Sequence, residues 1–108
     1  MKLNFDITVE QLREMLESGE NINLLDVRNP SEYADDNLGG ILIPLGELPD
    51  NLEEIEHLKG EHIYIHCRSG ARSAQAKEIL ISEGYTNVHN VLGGIVAYRE
   101  LEEKSKKL

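Results

Sequence analysis

One segment of this chain combines an apolar run, a tight turn and a helical pattern: Ile63-Tyr64-Ile65-His66-Cys67-Arg68-Ser69-Gly70-Ala71-Arg72, followed by Ser73-Ala74-Gln75-Ala76-Lys77-Glu78-Ile79-Leu80. The first four residues are typical of a short buried strand, and the residues from Ser73 have helical spacing. Cys67, the only cysteine, is therefore predicted where a strand ends and a helix begins. Backbone N–H groups at a helix N-terminus favour negative charge and lower the pKa of a thiol. The position is typical of a nucleophile.

Strands and helices alternate on both sides of this segment. Thr8 and Gln11 have the pattern of a capping box, and Gly19 ends the helix that follows it. Further strands are predicted within residues 23–28, 39–46 and 88–91, and further helices at 31–34 (capped by Ser31), 50–58 (capped by Asp50), 73–83 and from Gly94 onward. This alternation predicts an α/β domain with a mainly parallel central sheet. Because ligands of such sheets bind beyond the carboxyl ends of the strands, Arg28 and Cys67 are expected at one rim.

Composition limits the classes of function. The 108 residues suit one domain with a single hydrophobic core, and we expect one domain over residues 1–108. A formal net charge of -9 argues against nucleic acid as a partner, since binding its phosphate backbone needs a basic surface. One cysteine excludes an internal disulfide, and four scattered histidines do not form a zinc pattern. The N-terminus is too polar for a secretory signal, and no apolar run reaches membrane length. We therefore expect a cytoplasmic protein without a membrane partner.

The turn after Cys67 is short, with four residues between it and Arg72. Gly70 permits a backbone conformation that a side chain would obstruct. The N–H groups of residues 68–72 can then point inward and form a nest for a small anion. A nest of this size suits a thiolate sulfur that carries one further sulfur atom.

The chain resembles the single-domain rhodaneses, a family of sulfurtransferases. Residues 67–73 are similar to the active-site loop of that family almost residue for residue. Leu25-Asp26-Val27-Arg28-Asn29-Pro30-Ser31-Glu32-Tyr33 is similar to its Asp-Val-Arg-x-Pro-x-Glu-Tyr segment, and Ile43-Pro44-Leu45 and Gly93-Gly94 resemble two more of its motifs. The resemblance covers roughly residues 8–101.

One segment departs from the family pattern. Where the family usually has Gly-His-Ile-x-Gly-Ala, this chain has Asp36-Asn37-Leu38-Gly39-Gly40, with Asn37 in place of the histidine and one residue fewer. The sulfur transfer that this resemblance implies, described below, needs no base at that position. We therefore expect the difference to change the loop geometry and not the activity.

The resemblance implies a fold, a reaction and a site. The fold is the rhodanese-like three-layer domain, with helices on both faces of a mainly parallel sheet and a core at about residues 8–101. In the implied reaction, Cys67 takes the outer sulfur of a donor such as thiosulfate, releases sulfite and becomes a persulfide. A thiophilic acceptor, which is cyanide in an assay or a thiol, then removes that sulfur. The implied substrate-binding residues are Arg68, Ser69, Gly70, Ala71 and Arg72, and neither a metal nor an organic cofactor is required.

The implied partners are a small anionic sulfur donor and an acceptor that comes from outside the chain. An external thiol or a protein acceptor is needed because the chain has no second cysteine to resolve the persulfide. The sequence leaves the oligomeric state open.

Several other polar residues invite a catalytic role but are better explained as structural. Asp26 and Arg28 leave a predicted strand, and we expect them to support the site by bracing a loop, with Arg28 paired to Glu32. His66 precedes the cysteine, but adjacent strand residues point to opposite faces, so we expect a packed or partly exposed side chain. The remaining histidines are expected on the surface: His57, His62 and His89.

Two alternative functions remain open. Cysteine-dependent phosphatases also place a thiolate and an arginine at a strand-to-helix turn, in a His-Cys-x5-Arg pattern. This chain has one residue fewer between Cys67 and Arg72, which favours a sulfur over a tetrahedral phosphate. The other alternative is a non-catalytic rhodanese-like module for protein interaction or sulfur carriage. Such interaction modules commonly lack the cysteine that is present here.

Overall fold

A four-stranded parallel sheet forms the centre of the structure, a computed structural model that describes residues 4–106. In chain order the strands are β1 (Asn23–Asp26), β2 (Ile41–Leu42), β3 (Ile63–His66) and β4 (Val88–Asn90), and their order in the sheet is β2-β1-β3-β4. In the register of β1 and β3, Asp26 lies opposite His66. Because the pairings are all parallel, the chain leaves these two strands at the same edge, which carries both Arg28 and Cys67 as predicted.

Helices cover both faces of this sheet: α1 (Val9–Glu17), α2 (Pro30–Asp35), α3 (Ala71–Ser82) and α4 (Gly94–Lys106). One core cluster joins Ile63 and Ile65 of β3 to Leu80 of α3. The other joins Leu12 of α1 to Tyr98 of α4. The predicted three-layer α/β architecture is confirmed. Within residues 4–106, none of the helices is long and apolar enough to span a membrane.

The start of α1 follows its predicted capping box. The Gln11 N–H donates to Thr8 Oγ1 at 3.1 Å, and the Thr8 N–H donates to Gln11 Oε1 at 2.8 Å. The start of α2 differs from the prediction, because Asn29 and not Ser31 is the N-cap. Pro30 occupies the first helical position, where its missing N–H costs nothing. The Asn29 N–H donates to Glu32 Oε1 at 3.0 Å, so the cap lies two residues earlier.

The helix predicted at residues 50–58 is wrong. The chain forms three 3₁₀ turns there instead, Leu45–Asp50, Leu52–Glu54 and Glu56–Leu58. Asn51 and Ile55 separate the turns, with φ of -126° and -124°, outside the helical range. The apolar residues still reach the core, since Ile55 and Leu58 are both buried. The apolar spacing therefore predicts correctly that these residues are buried, but it predicts one continuous helix where the chain forms separate turns.

The histidines follow the predictions in part. His57 and His62 are exposed as expected, and His66 is packed in the interior. The prediction for His89 is wrong, because this side chain is fully buried. Its Nε2 lies 2.7 Å from His62 Nδ1, and its Nδ1 donates to the Phe5 carbonyl at 2.5 Å. Two hydrogen-bond partners compensate its ring nitrogens for the loss of water, which a sequence pattern alone does not show.

The buried histidines predict how stability depends on pH. Burial lowers the pKa of His66 and of His89 below the ordinary value of about 6.5. Below that value the unfolded chain binds protons that the folded chain does not, so the free energy of unfolding falls as the pH drops. We expect urea denaturation to show a loss of stability between about pH 7 and pH 5, above the range in which carboxylates titrate.

A matched pair of variants isolates this effect. His89→Gln should weaken the pH dependence over this range, whereas the exposed His57→Gln should retain it. A wild-type free energy of unfolding that stays level or rises from pH 7 to pH 5 would contradict this account.

Candidate functional site

Cys67 lies directly after β3, and its side chain is almost closed off from solvent, with 1% of its surface exposed. Three groups approach its sulfur. The Gly70 N–H donates to Sγ at 3.1 Å, the Ser73 N–H donates at 3.4 Å, and Ser73 Oγ lies 3.4 Å from Sγ. Backbone N–H donors pointed at one sulfur form an anion nest, which overlaps the predicted residues 68–72 only in part because Ser73 lies beyond them.

These contacts shift the thiol toward its ionised form. Burial raises the pKa of Cys67, but hydrogen bonds from the Ser73 hydroxyl and from the N–H groups of Ser73, Gly70 and Ser69 lower it by more, so the pKa is below its usual value. The expected thiolate character is therefore supported by specific donors as well as by the position at a helix N-terminus. Within the predicted nest at residues 68–72, the N–H groups of Ser69 and Gly70 act on the sulfur, and Ser73 adds a third just beyond it.

The Cys67 loop (residues 67–72) depends on a left-handed backbone at Gly70, whose φ is +111°. Residues with a side chain rarely adopt this conformation. It turns the chain directly into α3, which begins at Ala71. Ala71 and Ser69 are both exposed, so their side chains line the outside of the loop and their backbone shapes the inside.

The start of α4 binds the backbone carbonyls of the Cys67 loop. The Ile95 N–H donates to the Cys67 carbonyl at 2.9 Å, and the Val96 N–H donates to the Arg68 carbonyl at 3.1 Å. Gly94 has a φ of +60°, and a Cβ added there would lie 2.5 Å from the Cys67 carbonyl oxygen. This role is not among those predicted from the sequence, although the Gly93-Gly94 pair is a visible signal for it.

The two arginines of the loop differ in their surroundings. Arg72 forms a two-pronged ion pair with Glu32 of α2, at 2.7 and 2.9 Å, and this hydrogen bonding lowers the pKa of Glu32 to about 2. Arg68 is exposed, and its side chain makes no hydrogen bond or ion pair with any other residue between 4 and 106. The charge of Arg72 is therefore offset within the fold, and the charge of Arg68 is available at the surface.

Asp26 and Arg28 form a buried ion pair. Arg28 Nε lies 3.0 Å from Asp26 Oδ1, and Arg28 Nη2 lies 2.8 Å from Asp26 Oδ2. The same Nη2 donates to the Asp36 carbonyl at 2.7 Å. The prediction that Arg28 pairs with Glu32 is thus wrong. Glu32 pairs with Arg72, and Arg28 pairs with Asp26, which is only two residues away. The pair holds the segment after α2 against the end of β1, which agrees with a bracing role.

His66 does not form a pair with the thiol. Its Nε2 lies 3.6 Å from Asp26 Oδ2, and neither ring nitrogen has a hydrogen-bond partner among the described residues. Burial lowers the pKa of His66, which favours the neutral ring. The interpretation of this residue as a packed side chain is confirmed.

The segment that departs from the family pattern closes on itself through Asn37. Its Nδ2 donates to the Tyr33 carbonyl at 3.0 Å, and its Oδ1 accepts from the Gly39 N–H at 2.9 Å. Arg99 of α4 anchors the same segment through both carboxylate oxygens of Asp36.

Over residues 4–106 no group of three or more His, Cys, Asp or Glu side chains is arranged to hold a metal ion.

Comparison with known proteins places this geometry in a family. The family model described as "Rhodanese-like domain" matches residues 8–101. The chain belongs to the rhodanese-like domain family. It is 38% identical to a sulfurtransferase of Allochromatium vinosum over 86% of both chains. It is 39% identical to the thiosulfate sulfurtransferase PspE of Escherichia coli over 64% of this chain and 67% of PspE.

A solved structure supports the same assignment. The rhodanese-like domain protein of Staphylococcus aureus superimposes with a TM-score of 0.78 and is 34% identical, covering 89% of this chain and 91% of that one. The predicted membership and the predicted fold are confirmed.

The close approach at Gly94 predicts the cost of a single methyl group in this rhodanese-like domain. Gly94→Ala places a Cβ against two backbone carbonyl oxygens and imposes an unfavourable φ. We expect a loss of about 2 kcal/mol or more in the free energy of unfolding and a slower reaction of Cys67 with iodoacetamide at neutral pH.

Gly46→Ala is the control, because nothing lies within 4 Å of the added Cβ and its φ is not positive. It should leave both measurements unchanged. Equal stability and equal thiol reactivity of the two variants would show that α4 does not hold the Cys67 loop.

Proposed function

We propose that this chain is a sulfurtransferase in which Cys67 carries sulfane sulfur as a persulfide, taken from a thiosulfate-like donor and passed to an external thiol. The observation that supports this best is the set of N–H groups of Gly70 and Ser73 pointed at Cys67 Sγ. The relatives in Allochromatium vinosum and Escherichia coli are named as sulfurtransferases, which supports the same chemistry. No metal or organic cofactor takes part in the proposed reaction.

In the first half-reaction, the Cys67 thiolate attacks the outer sulfur of thiosulfate. A new S–S bond forms on Cys67, the S–S bond of thiosulfate breaks, and sulfite leaves with the electron pair of that bond. The negative charge that remains on the persulfide is stabilised by the N–H groups of Ser69, Gly70 and Ser73, which act without reorganisation. The lowered pKa of Cys67 supplies the thiolate that this step requires.

In the second half-reaction, an acceptor thiolate or cyanide attacks the outer sulfur of the persulfide. The Cys67 S–S bond breaks, the Cys67 thiolate leaves, and the acceptor carries the sulfur away. Because donor and acceptor react in turn with one covalent intermediate, the kinetics should be ping-pong. The acceptor must be a separate molecule, since Cys67 is the only cysteine of the chain.

Phosphate hydrolysis fits this site less well. A phosphate needs an arginine free to grip its oxygens, whereas Arg72 already uses both prongs of its guanidinium on Glu32. The turn from Cys67 to Arg72 is also one residue shorter than the phosphatase pattern. Sulfur needs only the N–H groups near Sγ.

A loading experiment tests the proposal. After incubation with thiosulfate and removal of the reagent, the intact mass measured without reductant should increase by one sulfur atom, and cyanide should remove it. Cys67→Ser should show no gain, and a phosphotyrosine mimic should give no turnover with either protein. If no sulfur donor yields an adduct on the folded wild-type chain, the proposed function is rejected.

The unequal arginines predict unequal effects on donor use. Arg68→Ala should raise KM for thiosulfate about 3- to 10-fold, more at low salt than at high salt, with an unchanged melting temperature. Arg72→Ala should differ from Arg68→Ala in lowering the melting temperature, because it leaves Glu32 without its partner. Steady-state kinetics at two ionic strengths, together with thermal denaturation, check both expectations. Donor affinity that is the same in Arg68→Ala as in the wild type would contradict the role of Arg68.

A further inference from the structure

The Ser73 hydroxyl lies among more acceptors than it has protons. Its Oγ is 2.5 Å from Asn90 Oδ1, 3.1 Å from the Gly70 carbonyl and 3.4 Å from Cys67 Sγ. A serine hydroxyl can donate only one hydrogen bond at a time. The shortest of the three contacts goes to Asn90, so this residue competes with the sulfur for the proton.

The fold holds Asn90 in position for this competition. The residue ends β4 and is 5% exposed, so water has little access to its side chain. Its backbone N–H donates to Asp6 Oδ1 at 3.0 Å, and its side-chain Nδ2 lies 3.4 Å from the Gly70 carbonyl. With Nδ2 directed to a carbonyl, Oδ1 faces the Ser73 hydroxyl as an acceptor.

Apart from the exposed Arg68, the charged groups packed around this network are paired with each other. They come from the N-terminal segment, from β1 and its following loop, from α2 and from α3, and they form the pairs Asp6 with Lys77, Asp26 with Arg28, and Glu32 with Arg72. Arg72 interacts electrostatically with the ionised thiol. The exposed Arg68 is the residue that follows Cys67 in the sequence. Because the charges in these pairs are compensated, the direction of the one hydroxyl proton becomes a significant variable at the sulfur.

We propose that Asn90 is a positioning residue that draws the Ser73 hydroxyl away from Cys67 Sγ and so keeps the thiolate more basic than the Cys67 loop alone would make it. The proposal rests on the proposed function for its catalytic meaning. A more basic thiolate is a better nucleophile toward the donor but a poorer leaving group from the persulfide. Asn90 would therefore favour loading of sulfur over its release.

The test is the pH midpoint of Cys67 alkylation by iodoacetamide in the full chain. Asn90→Leu removes the acceptor while keeping the branch at Cγ and should lower the midpoint by about 0.5 to 1 pH unit. Ser73→Ala removes the donor and should raise it by a similar amount. In the double variant, the Asn90 substitution should produce no further change from Ser73→Ala. This dependence on Ser73 separates a positioned proton from a general structural disturbance.

The outcomes are distinguishable. A midpoint that rises or stays level in Asn90→Leu overturns the proposal, and so does an equal fall in the presence and absence of Ser73. Asn90→Ala serves as a second variant with the same expectation, and thermal denaturation verifies that each protein is folded. Alkylation needs no sulfur transfer, so failure of the wild type to load sulfur would reject the proposed function and leave this result standing.

The two half-reactions give an independent readout. At a pH well above the midpoint, sulfur loading from thiosulfate should be about 2- to 3-fold slower in Asn90→Leu, and discharge by cyanide should be faster by a similar factor. Rapid mixing with each reagent in turn measures the two rates separately. Changes of the two rates in the same direction would contradict the role assigned to Asn90.

Discussion

The Cys67 loop depends on hydrogen bonds to the outside of its backbone. The N–H groups of Ile95 and Val96 bind the carbonyls of Cys67 and Arg68, so those carbonyls point away from the sulfur and toward α4. The N–H groups that follow along the loop are then left to face Sγ. A strand, a left-handed glycine and the starts of two helices thus act together to make one sulfur atom the acceptor of several donors. Their joint effect is a buried thiol whose pKa is nonetheless lowered.

Charge compensation shapes the rest of the site. Arg28 and Arg72 are each held by a carboxylate, Asp26 and Glu32 respectively. The second of these pairs ties α3, which follows β3, to α2, which follows β1. Buried or half-buried cations need such partners because their desolvation is costly. Arg68, which is exposed, has no such need and stays available. An acidic chain with a formal net charge of -9 can therefore still present one unpaired positive group next to Cys67 in sequence.

Much of this arrangement could be predicted from the sequence because it depends on local patterns. A few neighbouring residues are enough to predict the strand before Cys67, the helix after it and the capping box at Thr8. The family resemblance then predicts how these elements assemble into one fold. Some failures are local: Asn29 caps α2 in place of Ser31, and 3₁₀ turns replace the helix predicted at residues 50–58. The other failures depend on which side chains the fold brings together. The burial of His89 depends on His62 and on the Phe5 carbonyl, and the partner of Arg28 depends on which carboxylate Arg72 occupies. The contact of Ser73 with Asn90 is likewise visible only once β4 lies beside β3.

In the proposed reaction, Cys67 accepts one sulfur atom and keeps it until an acceptor arrives. The most direct test is to mix the protein with excess thiosulfate in the absence of any acceptor and to measure sulfite released over time. We expect a burst of about one sulfite per chain that then stops, with a gain of one sulfur atom in the intact mass at the same rate. Absence of a burst, or an equal burst from Cys67→Ser, would contradict it.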